Sequence, residues 1–196
     1  MTTPAHAVLN LLVLGGGHRR ILWLPIFLGS LLPDVPMLGF YFLQRVILRE
    51  PESYIWSHVY FQPNWQALFD IFNSFPLIVV GLIVAYWVRS DWLQVFFLSI
   101  GLHCMADFLL HHDDAHRHFL PLSDWRLLSP VSYWDHRYYG RYVTWAEMAL
   151  VLVGSVILFQ RHKSPAARVL AGVTLVSYLG YLVYALTVWA SLDGTQ

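Results

Sequence analysis

Residues Val169–Ala190, VLAGVTLVSYLGYLVYALTVWA, run for 22 positions without a charged side chain. At ~1.5 Å per helical residue such a run crosses the ~30 Å hydrocarbon core of a bilayer. Just before it lies the short basic loop Gln160-Arg161-His162-Lys163-Ser164-Pro165, and before that Trp145–Phe159, apolar apart from Glu147 and Ser155. The two segments read as a hairpin of spanning helices. Phe75–Val88 and Trp92–Leu110 form a second pair, joined by the turn Arg89-Ser90-Asp91.

Upstream the pattern is less regular. Ala5–Leu14 and Ile21–Leu32 are too short to span alone, and the flexible, charged connector Gly15-Gly16-Gly17-His18-Arg19-Arg20 separates them. Pro33-Asp34-Val35-Pro36 is expected to break the second, and Leu38–Val46 starts a third. Broken helices of this kind are tolerated where protein rather than lipid surrounds the break. Arg49–Phe69 is mixed and aromatic, and reads as interfacial. The expected fold is all-α: a polytopic membrane helical bundle of about four long spans plus short N-terminal helices. Residues 1–196 form a single membrane-embedded domain with a ligand-rich polar segment at 103–136.

Composition supports this. Hydrophobic residues make up 57% of the 196 and charged residues 12%, against roughly 25% charged in soluble domains. Twenty-four charged side chains would cover a water-facing surface of this size poorly. Nine Trp, eleven Tyr and twelve Phe suit rings placed at the membrane interface. The formal net charge is zero and no basic stripe or nucleic-acid motif is present, so no nucleic-acid partner is implied. Membrane lipid is the implied partner, and no protein partner can be named. The N-terminus lacks the pattern of a cleaved signal peptide. Cys104 is the single cysteine and reads as a small buried residue. Arg89, Arg161, Lys163 and Arg168, with Arg19 and Arg20, fall on one expected side, and Arg117, Arg126, Arg137 and Arg141 on the other, a weak bias toward an outward-facing polar segment.

The chemistry concentrates between 103 and 118, where sixteen residues hold five His and three Asp. His103 and Asp107 stand four apart and share one helical face, which His111 extends by a turn. There follow His112, Asp113, Asp114, His116, Arg117 and His118. Imidazole and carboxylate without thiolate suit divalent Zn, Mn or Fe, and the number of donors allows one to three ions. His6 and Asp34 are remote in sequence but costly to bury unpaired, and this cluster is the obvious partner. Arg117 can meet a phosphate, and Asp135 or a non-ligating Asp can act as a general base.

Blander readings stand beside these. His6 also fits a hydrogen-bonded core histidine, and Asp34 a helix cap. His103 with Asp107 fits a structural pair, and residues 111–118 a solvated loop. His58, His136 and His162 read as surface or interface residues. Asn73 or Ser74 caps the helix that follows, with Asp70 one turn before.

Five features in order carry a family resemblance: His6 in an apolar helix, Leu32-Pro33-Asp34, Phe72-Asn73-Ser74, His103-x-x-x-Asp107, and a polar segment ending Phe119-Leu-Pro-Leu-Ser-Asp-Trp125. Over roughly residues 1–160 this resembles the YdjM-type inner-membrane proteins labelled metal-dependent hydrolases, themselves similar in motif order to the zinc-dependent phospholipase C fold. The resemblance implies a metal site of His6, Asp34, His103 and Asp107, with His112, Asp114, His116 and His118 as later ligands. It implies a hydrolase of an ester or phosphoester at the bilayer surface, with a lipid headgroup as the simplest substrate, in a bacterial inner membrane. The chain departs from the family where Asn73 stands for a histidine and where Val35-Pro36 follows the Pro-Asp pair. A non-catalytic metal-binding membrane protein, or a scaffold or assembly factor, is the alternative.

Overall fold

The structure, a computed structural model, describes residues 1–16, 22–161 and 164–193, and in the last helix its side chains as far as Val183. Arg19, Arg20 and Lys163, used above for sidedness, and His18 and His162 lie outside the described residues. Among the described residues every regular element is helical.

α1 (Thr3–Leu14) opens with Pro4 in its first turn, where a missing N–H costs nothing. α2 (Trp23–Leu31) follows. The Pro33–Pro36 stretch does not end the helical run as expected. It winds as one 3-10 turn, Leu32–Asp34, into α3 (Val35–Tyr41) and then π-type turns at Phe42–Ile47. Each proline removes one amide donor, and the tighter turn absorbs the mismatch. As a result Trp23–Ile47 is itself long and apolar enough to cross a membrane.

The segment read as interfacial holds α4 (Glu52–Tyr54), π-type turns at Ile55–Val59, and α5 (Pro63–Phe72). α6 (Phe75–Trp87) and α7 (Asp91–Leu110) both start on serine caps: Ser74 accepts from the Leu77 amide and Ser90 from the Leu93 amide. α8 (Gly140–Arg161) and α9 (Pro165–Asp193) form the C-terminal hairpin. Five helical stretches are long and apolar enough to span: Trp23–Ile47, Pro63–Trp87, Asp91–Leu110, Gly140–Arg161 and Pro165–Val183. The chain is an integral, all-α membrane protein.

α1 packs against α2, α7 and α8, α2 against α7, α6 against α7, and α8 against α9. Ala5, Val8, Ile26, Val95, Met148, Val151 and Tyr178 bury one core among them, and Cys104 lies with Ile78 and Ile100 between α6 and α7. A separate aromatic cluster of Phe40, Ile55, Val59, Tyr60 and Phe69 joins α3 to α5.

Polar contacts hold the helices where lipid gives no hydrophobic drive. Asn10 on α1 donates to the Ser99 carbonyl at 2.7 Å and hydroxyl at 2.8 Å, and the Ser99 hydroxyl donates to the Ile26 carbonyl at 2.5 Å. One α7 serine thus ties α1 to α2. Beside it Gly29 lets α2 approach: a Cβ there would lie 2.4 Å from the Phe96 carbonyl oxygen and 2.8 Å from Ser99 Cβ. Gly29→Val is expected to cost about 2 kcal/mol of stability through overpacking, read as a lower melting temperature in detergent. Gly172→Ala, where an added Cβ meets nothing within 4 Å, should leave the melt unchanged. Equal melts for the two variants would contradict the close α2–α7 crossing.

Candidate metal centre

α7 carries His103 and Asp107 one turn apart, and α1 delivers His6 to the same point. These three form a buried group whose donor atoms lie within 4.8 Å of one another. Asp107 is the hub. Its Oδ1 lies 2.9 Å from His6 Nε2 and 3.2 Å from His111 Nε2, and its Oδ2 lies 3.0 Å from His103 Nε2. The Met1 amino group donates to Oδ1 at 2.7 Å. The His6 and His103 rings stack, with centroids 3.6 Å apart and planes 16° from parallel.

The tautomer of His103 shows what this arrangement asks for. Its Nδ1 sits 2.7 Å from the Ser30 carbonyl, which can only accept, so Nδ1 carries the hydrogen. Nε2 is then the atom left facing the Asp107 carboxylate, 3.0 Å away: as a protonated imidazolium it donates to Oδ2, and as a neutral ring its lone pair needs a cation beside it. A backbone carbonyl that fixes one ring nitrogen and leaves the other for an ion is the usual second contact of a metal-binding imidazole.

Further polar atoms are buried without hydrogen-bond partners: His6 Nδ1, Asp34 Oδ2, Asp114 Oδ1, His116 Nδ1 and His118 Nε2. Buried polar atoms are rarely left so, because each costs roughly 1–3 kcal/mol. The concentration of orphans at one place fits a divalent ion. His6, His103 and Asp107 can hold one, as two imidazoles and a carboxylate.

The structure brings Asp34 to the same centre, with Oδ1 3.6 Å from His103 Nε2. Asp114 reaches it through His111, whose Nδ1 lies 3.0 Å from Asp114 Oδ2. Burial pulls His111 down, but the carboxylates of Asp107 and Asp114 outweigh it and push its pKa up to about 9. His118 donates from Nδ1 to the Asn73 carbonyl at 2.8 Å and stacks on Phe75. Burial lowers its pKa to about 4, so it stays neutral with Nε2 free to bind. His116 lies between the two, its ring 5.5 Å from that of His111 and 5.8 Å from that of His118.

Three candidates are not brought in. His112 turns away: its Nδ1 bonds the Ser129 carbonyl at 2.6 Å and its ring stacks on Tyr138. The helical stripe 103, 107, 111 explains why, since the next position faces elsewhere. Arg117 is engaged with Asp70 and Asp124. Asp135 accepts from the Arg137 amide at 2.9 Å and guanidinium at 2.6 Å. Those hydrogen bonds hold the Asp135 carboxyl down at about 2, from an ordinary value of 3.8. A depressed carboxyl stabilises its loop above the ordinary value and loses that hold as pH falls toward 2. Protection of the amides around 132–140, relative to their intrinsic exchange at each pH, should therefore fall between pH 4 and pH 2 in the wild type. Asp135→Asn should already exchange fast at pH 5, and identical profiles would deny the clasp a role.

Asp70 is the residue that sequence reasoning passed over. It is fully buried and accepts from the Arg117 amide at 2.9 Å and guanidinium at 2.5 Å, with His116 Nδ1 at 3.5 Å. It anchors the loop that carries His116 and His118. No local pattern marked it, because its partners lie more than forty residues downstream.

A cavity of about 730 Å³ opens onto the centre, lined by Asp34, Asp107, His111, Asp114 and His116 on its floor. Neither Arg117, Asp135 nor His112 lines it. Compared with protein-family models, curated proteins and solved structures, the chain finds no match, so the site rests on its own geometry.

Proposed function

We propose that the protein is a membrane-embedded, metal-dependent hydrolase of an ester or phosphoester presented at the bilayer surface. The observation that carries this is the buried group of His6, His103 and Asp107, its donor atoms within 4.8 Å of one another, at the end of an open polar cavity that Asp107 lines. His6, His103 and Asp107 hold the ion, and His116 and His118 offer unpartnered ring nitrogens for a further one or two. Two imidazoles with a carboxylate favour zinc, with manganese or iron also compatible. When bound, the ion supplies Lewis acidity to a phosphoryl or carbonyl oxygen and acidifies water.

The chain's own groups do the rest. Asp114 Oδ1 is unpartnered beside the cavity and takes the proton of the attacking water, the role sequence reading gave to Asp135. The water oxygen bonds to phosphorus or acyl carbon as the ester bond breaks, and Asp114 passes the proton it took to the leaving oxygen. The resemblance to YdjM-type inner-membrane proteins supports the same class and a bacterial inner membrane as its location.

The test is elemental mass spectrometry on detergent-purified protein, with turnover of a chromogenic phosphodiester and a carboxylic ester. Near-stoichiometric zinc, manganese or iron with chelator-reversible turnover is expected. Metal without turnover of either ester would leave a non-catalytic metal protein. No metal after reconstitution would end both readings.

A further inference from the structure

The cavity over the metal centre has an unusual rim. Leu38, Trp56, Phe61 and Trp134 all line it, yet each is between 42% and 56% exposed at the outer surface. Leu38 belongs to the candidate span Trp23–Ile47, which also supplies Asp34 to the floor. One helix therefore carries a floor carboxylate and, a turn later, an apolar rim residue facing outward. From that rim an apolar ladder continues along the helical run: Leu38, Phe42 and Val46 stand four apart, and all three are exposed. Eight residues of rise is about 12 Å. In a water-facing opening such a ladder would be a liability, whereas beside a membrane span it lies against lipid.

The floor is polar: Asp34, Asp107, Asp113 and Asp114 line the cavity with His111, His116 and Met1, whose amino group bonds Asp107. Such a floor suits the polar ester end of a lipid and leaves the apolar rim for its chain.

Resting on the hydrolase reading, we propose that the substrate is an intact bilayer lipid that enters the cavity sideways, between Leu38, Trp56, Phe61 and Trp134. Its polar ester lies on the carboxylate floor and an acyl chain lies along Leu38, Phe42 and Val46. The rim selects for the chain. Substrate is then delivered by diffusion within the leaflet, with no need to lift a lipid into water.

Two measurements test this. In vesicles of phosphatidylcholine brominated on its acyl chains, tryptophan emission of the reconstituted protein should be partly quenched, and the share assignable to Trp56 should vanish in Trp56→Phe. If Trp56 is instead quenched by aqueous iodide and untouched by bromolipid, the mouth opens to water and the proposal falls. This reading does not depend on turnover, so it stands apart from the fate of the hydrolase reading. The second measurement is the ratio of long-chain lipid turnover to that of a short, soluble ester with the same headgroup. Leu38→Asn with Phe42→Asn should lower the ratio about 10-fold with metal content unchanged. An unmoved ratio would show that no chain lies on the ladder. If both substrates fail with metal bound, hydrolysis is refuted while the quenching result still decides the portal.

Discussion

Asp107→Asn is expected to lower metal affinity by more than about 100-fold. Loss of a residue that merely orients a ligand costs 10–100-fold, and Asp107 is a direct donor on which His6, His103 and His111 converge. Asparagine keeps the size and one carbonyl acceptor, so the Met1 amine retains a partner and the packing of α1 on α7 survives. What goes is the negative charge that makes the space between His103 Nε2 and the carboxylate attractive to a cation. In the wild type, ligand at a hundred times its dissociation constant adds about 2.7 kcal/mol to stability. Zinc should therefore raise the wild-type melting temperature and leave Asp107→Asn unmoved. Equal zinc content in the two proteins would place the ion elsewhere.

The second large effect is on stability. Asp70→Ala should cost about 2–4 kcal/mol. Removing one partner of a buried ion pair strands the other, typically at 3–5 kcal/mol. The lower figure applies here because Arg117 is 23% exposed and keeps Asp124 at 2.8 Å. The Arg117 amide also loses its acceptor. Asp70→Asn, which keeps an acceptor for that amide, should lose about half as much. The readout is thermal unfolding in detergent, and a change below about 0.5 kcal/mol would show that the loop holds without this anchor. Because His116 and His118 ride on that loop, weaker zinc binding should accompany the loss.

The membrane class was legible because burial in lipid writes itself into composition: long uncharged runs need no tertiary context to be read. The His103/Asp107 pair was legible for a similar reason, since four-residue spacing on a helix is local geometry. His6 and Asp34 could be proposed only from the cost of burying them alone, and the fold brings both to Asp107 or its partner His103. His112 shows the limit. In a run of adjacent histidines composition cannot choose, whereas the continued helical face points to His111, the one that reaches Asp107. Pro33 and Pro36 misled in the other direction, because a 3-10 turn carries the chain through them. Asp70, Asn10 and Ser99 carried no signal, since their bonds join distant parts of the chain.

The centre joins His6 to Asp107 across 101 positions of sequence. During synthesis the first helix therefore waits, its imidazole unmatched, until three further spanning stretches, the last of them α7, have emerged. A chain stalled before α7 has His6 but neither His103 nor Asp107, so the buried three-residue group forms only once α7 has joined α1.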